Sequence, residues 1–151
     1  MTAISNRKLS SILNRALPGW RDSGGWTYNV FPNEPHAYLS SRVGIKRLFR
    51  ATTISIQYLQ ESGSPLITFH DCAAGWKRTR NNSRDRAHQF AEINELTRFL
   101  SKKMYFRHSN AYSDNYNIID FTGKWMITFC HEDDWFLFAK KNQIEALKGK
   151  L

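Results

Sequence analysis

The residues best placed to do chemistry in this chain are cations gathered around one indole. Trp76 is followed by Lys77, Arg78, Arg80, Arg84 and Arg86, and further on by Arg98, Lys102, Lys103 and Arg107. Cations at this density pair with phosphates while an aromatic face stacks on an unpaired base, a combination that suits nucleic acid. Arginine dominates residues 78–86, and its planar fork meets a phosphate through two parallel donors where lysine offers a point charge. The same residues would also serve as a solvated loop and an exposed helix face in a basic protein.

Histidine offers a second chemistry. His36, His70, His88, His108 and His131 could provide the general base and acid of a metal-independent ribonuclease, with arginine facing the phosphorane. No pair has a diagnostic spacing, and His70 and His131 are the candidates for a catalytic role. Each lies near a cysteine, Cys72 or Cys130. On strands, His70 and Cys72 share a face while the adjacent Cys130 and His131 point opposite ways, so at most three of the four converge and no metal site is expected. Asp120 and Lys124 straddle a turn at Gly123 and do not form a compact acid-x-Lys nuclease motif, and Glu132, Asp133 and Asp134 read as a solubilising turn. No cofactor is expected.

The overall charge agrees with an anionic partner. The 151 residues carry 22 Lys and Arg against 13 Asp and Glu, a net charge of +9. Arg42, Lys46, Arg47 and Arg50 form a third basic window, and the three windows together hold thirteen of the 22 cations with one acid, Asp85. Residues 108–139 reverse the sign, with Lys124 alone against Asp114, Asp120, Glu132, Asp133 and Asp134. A molecule with a cationic and an acidic side is therefore expected, and its partner is nucleic acid or an acidic protein surface.

Elements that would position these residues follow from periodicity. Leu9, Ile12, Leu13, Ala16 and Leu17 line one face of a helix that Ser5 caps and Pro18-Gly19 ends. Residues 26–31 alternate as a strand and are broken by Pro32, Asn33 and Pro35. Residues 38–50 are ambiguous, with Ile45, Leu48 and Phe49 suiting a short helix against Gly44 and Val43. Ile54, Ile56 and Tyr58 alternate with Ser55 and Gln57, which predicts a strand over 52–59 in a hairpin with 66–72. Asn82 or Ser83 would cap the longest helix, with Phe90, Ile93, Leu96, Leu100 and Met104 buried and Phe99 on its polar side. Three strands over 117–122, 124–131 and 135–140 read as a meander before a short helix over 141–147. Trp135 and Leu137 would face one side of that meander and Phe136 and Phe138 the other, the second side being covered by a terminal helix or left to dock a partner.

The expected fold is therefore α+β. It is a single domain over 1–151, with a mostly antiparallel sheet of about six strands packed on one long helix, an N-terminal amphipathic helix and a three-stranded C-terminal meander. Its middle matches a β-α-β-β-α-β order, although the aromatic signature of an RNA-recognition sheet is missing from residues 66–70. Two cysteines and no apolar run near the start point to a reducing, cytoplasmic setting, while the basic, acid-free first 21 residues share the composition of a mitochondrial presequence. No stretch is long and apolar enough for a membrane. The function expected is non-catalytic binding of an anionic macromolecule, first of all nucleic acid. The alternatives are an inhibitor or immunity-type protein blocking an acidic partner, and a small nuclease.

Overall fold

Ser5 starts the first helix as its sequence implies: its hydroxyl accepts from Lys8 N at 3.2 Å, and α1 runs over Asn6–Ala16 with Leu9, Ile12, Leu13 and Leu17 buried. The computed structural model describes residues 1–17, 36–72, 87–103, 114–130 and 134–151. The expected strand over 26–31 lies outside them.

Residues 52–59 are helical, which corrects the expected hairpin. They belong to α2, Ile45–Leu59, whose start at Gly44 has a φ of 86°. Leu48, Ala51, Thr52, Ser55, Ile56 and Leu59 are its buried residues, a 3-1-3-1-3 spacing that fits a helix as well as Ile54, Ile56 and Tyr58 fit a strand. β-branched Thr52, Thr53, Ile54 and Ile56 favour a strand locally, and burial of a whole helical face overrides that weak preference.

The helix expected from residue 82 or 83 is corrected too. Ala87–Phe90 is a strand, β4, and the helix α3 spans only Ile93–Lys103. A four-residue segment carries little periodicity, and β4 is fixed by pairing on both sides. One neighbour is β3 (Leu66–Cys72) and the other is β1 (Thr2–Ile4), a strand the sequence did not announce. β2, His36–Leu39, follows the proline-rich breaker, and a 3₁₀ turn at Ser41–Val43 links it to α2.

The C-terminal meander forms as expected, with strands β5 (Asp114–Asp120), β6 (Met126–Phe129) and β7 (Trp135–Phe138), then α4 over Lys141–Leu147. All pairings are antiparallel, and the sheet has seven strands in the order β1-β4-β3-β5-β6-β7-β2. The run from β2 to β5 does have the order β-α-β-β-α-β. Its first strand, however, pairs with β7 at the sheet edge and not inside the other three, so the split βαβ arrangement is absent.

Helices cover both faces, where the sequence suggested one long helix. On one face, α2, α3 and α4 pack against Leu66, Phe90, Ile118, Ile127, Phe129, Trp135 and Leu137. Phe99, expected on the polar side of its helix, is buried in this layer at 5.2 Å from Phe90. On the other face, α1 lies on Ile4, Ala87, Ile67, Phe69, Ile119, Met126 and Phe138. The second face of the meander is thus met by the N-terminal helix. Two buried indoles are hydrogen-bonded: Trp125 Nε1 donates to Asp120 Oδ2 at 3.1 Å across the β5–β6 turn, and Trp135 Nε1 donates to Thr52 Oγ1 at 3.1 Å, tying β7 to α2.

Candidate nucleic-acid interface

The sheet register fixes which strand ends lie side by side. Cys72 pairs with Asp114 across β3 and β5, His88 pairs with Thr68, and Tyr116 pairs with Phe129. β3 and β6 therefore finish where β4 and β5 begin. Of the sequence candidates, Arg98 is exposed on α3, and Lys102 and Lys103 occupy the last turn of that helix. Trp76, Lys77, Arg78, Arg80, Arg84, Arg86, Arg107 and His131 lie outside the described residues.

The first basic window is fully described. Arg42, Lys46, Arg47 and Arg50 are all exposed, the last three on α2, a 15-residue helix without an acid. Arg47 Nη2 donates to Leu151 O at 3.2 Å, whereas Arg42, Lys46, Arg50 and Arg98 enter no ion pair among the described residues. α1 repeats the pattern: Arg7, Lys8 and Arg15 are exposed, no acid shares the helix, and Lys8 Nζ donates to Gln89 Oε1 at 3.4 Å. Because α1 and α2 cover opposite faces of the sheet, cations emerge on both sides of the domain.

That distribution puts cations on both helical layers where the sequence suggested one cationic side. Of the acids in the C-terminal segment, Glu132 and Asp133 lie outside the described residues. Asp120 is buried, accepting from Trp125 Nε1, from Thr122 N at 2.9 Å and from the Thr122 hydroxyl. Asp134 holds the Tyr38 hydroxyl at 2.9 Å and Ser41 N at 2.8 Å, and this bond raises the Tyr38 pKa.

His70 meets partners that spacing alone did not give. It lies on β3 with its ring 4.8 Å from Tyr116 on β5, and His88 on β4 occupies the same sheet face with its ring 5.0 Å from Phe99. Burial, and secondly the proximity of His88, pushes His70 down to about 4, so its ring is neutral at neutral pH. Such an imidazole is a poor general acid. His88 was only one of five candidate histidines in the sequence, and its place beside His70 was hidden because residues 87–90 read as part of a helix. Among the described residues, no three His, Cys, Asp or Glu side chains gather as a metal would require, and no helix is long and apolar enough to cross a membrane.

One feature joins residues that the sequence reading treated apart. His36 and Tyr38 on β2 stand opposite Phe138 and Phe136 on β7, on the face that carries α1. Ring centroids are 5.2 Å apart for His36 and Phe138, 5.6 Å for His36 and Phe136, and 5.2 Å for Tyr38 and Phe136. His36 is exposed and Tyr38 is 51% exposed, while Phe138 is buried beneath them.

The class these observations define is an α+β domain with a seven-stranded antiparallel sheet, helices on both faces and, among the described residues, exposed cations without an ion pair in both helical layers. No family model matches the chain, and neither a curated protein nor a solved structure was found to be similar to it.

Proposed function

We propose that the protein binds nucleic acid, neutralising phosphates with cations carried on both of its helical layers, and has no catalytic role of its own. The observation that carries this reading is the set of exposed cations, Arg7 and Arg15 on α1, Lys46 and Arg50 on α2 and Arg98 on α3, that enter no ion pair among the described residues. An extended polyanion can reach cations on two sides of a domain, whereas a single acidic protein surface meets only one of them. Lys77, Arg78, Arg80, Arg84, Arg86 and Arg107 would add further cations for phosphate and Trp76 an aromatic face for a base.

Helix electrostatics support the reading independently. α1 and α2 carry no acid in the first turn and place Arg7, Lys8, Lys46 and Arg47 there. Each such cation opposes the macrodipole by about 0.3–1 kcal/mol, the reverse of what stability alone selects.

A salt titration with generic DNA and RNA tests the proposal. Affinity should fall by orders of magnitude between about 50 and 200 mM salt, as release of several counterions requires. No binding of either nucleic acid at the low salt refutes it. Retention of one acidic protein at high salt would replace it with the inhibitor or immunity reading, and loss of intact labelled strand would restore the nuclease.

A further inference from the structure

We propose that the face of the sheet carrying α1 is a platform for unpaired bases, so that the nucleic acid bound is single-stranded. This rests on the functional reading above and names the ligand form that one face of it takes.

The platform is the aromatic group at the β2–β7 edge. Phe136 and Phe138 form its floor, and His36 and Tyr38 rise from the edge strand with their surfaces open to solvent. Large aromatics rarely stay half exposed on an edge strand without a reason, since they invite unwanted pairing and bury nothing. Positions i and i+2 of an antiparallel strand are about 7 Å apart, twice the roughly 3.4 Å step between stacked nucleotides, so one base fits between the side chains of His36 and Tyr38. Stacking of this kind needs no particular base, because each has a π-face.

Charge completes the site. α1 covers the same face without an acid; its start lies over β4, where Lys8 meets Gln89, and its end, with exposed Arg15, lies at the Gly123 turn between β5 and β6, while exposed Arg42 follows β2 at the rim. A strand whose bases lie on the edge aromatics would run its phosphates toward Arg42 and Arg15. The one described carboxylate at the patch, Asp134, is engaged by the Tyr38 hydroxyl and by Ser41 N. That bond also fixes the Tyr38 ring, so less conformational freedom is lost on stacking. A duplex, its bases already stacked and paired, gains nothing from the platform.

The experiment compares three ligands of equal phosphate number: an oligothymidine strand, the same strand with abasic sites, and a duplex. The wild-type protein should prefer the intact strand to the abasic one by about tenfold or more. His36→Ala/Tyr38→Ala should remove that preference while leaving the salt dependence unchanged, because no phosphate contact is lost. The comparison of ligands on the wild-type protein stands even if the double variant folds poorly. Equal affinity for intact and abasic strands, or a preference for duplex, overturns the platform while leaving the functional reading intact. Failure to bind any of the three at low salt overturns the functional reading itself. An acidic protein captured instead, with binding weakened by the double variant, overturns the platform in favour of a protein-docking edge.

Discussion

The indole of Trp135 on β7 donates to the hydroxyl of Thr52 on α2 at 3.1 Å, and that hydroxyl donates onward to Leu48 O at 2.8 Å. The chain satisfies a buried N–H with a hydroxyl that already belongs to its helix. Thr52→Val keeps the shape but removes the acceptor, leaving the indole unpaired in a site where both residues are buried. The expected loss is about 1–3 kcal/mol by urea unfolding, and Thr52→Ser should recover most of it.

Gly123 closes the turn between β5 and β6 with a φ of 63°, and a Cβ there would lie 2.6 Å from Ala16 O and 2.8 Å from Ala16 Cβ. The turn is thus pressed against the end of α1. Gly63 has a φ of 78° but nothing within 4 Å of its would-be Cβ. Gly63→Ala should cost only the left-handed backbone penalty of about 1–2 kcal/mol, and Gly123→Ala clearly more, because α1 must also shift. Equal melting temperatures for the two variants would contradict this account.

His70 sets a pH dependence whose sign is fixed. Its folded-state pKa is pushed from 6.5 to about 4, so above 6.5 the ring is neutral folded and unfolded and adds no pH slope. As pH falls from 6.5 toward 4 the unfolded chain takes up the proton first, and stability declines by on the order of 3 kcal/mol across that window. His70→Phe should flatten this part of a stability-against-pH curve. A variant as steep as the parent between those values would show that other groups set the slope.

Lys46→Glu separates binding from folding. In the first turn of α2 it replaces a cation that opposes the helix dipole with an anion that complements it, so stability should rise by about 0.3–1 kcal/mol. Affinity for nucleic acid should fall, and the salt slope should become shallower by about one counterion. A decline in both stability and affinity would count against the role given to α2.

How far the sequence went follows from the length and the pairing of each element. α1, β3, the meander and α4 are legible because a cap or an unbroken period marks each one. α2 was not, since Ile54, Ile56 and Tyr58 alternate as cleanly as Leu48, Ala51, Ser55 and Leu59 recur. β1 and β2 are three and four residues long, too short to show a period, and both are specified by partners far along the chain. The cations could be read as residue types. Their placement on two sides of the domain could not, because it depends on which face of the sheet each helix covers. The aromatic edge was hidden in a segment that looked like the end of a proline-rich loop.

The sheet's edges carry a consequence for how the molecule is made. Both edge strands come from the first 39 residues, and each waits for a partner synthesised much later: Thr2 pairs with Gln89, and His36 with Phe138. At about 5–20 residues per second on the ribosome, β2 emerges several seconds before β7 exists. Contacts so distant in sequence make for slow, late closure of the fold. β2 is thus among the last strands to be secured, and a chaperone acting on this protein would find it open until β7 emerges.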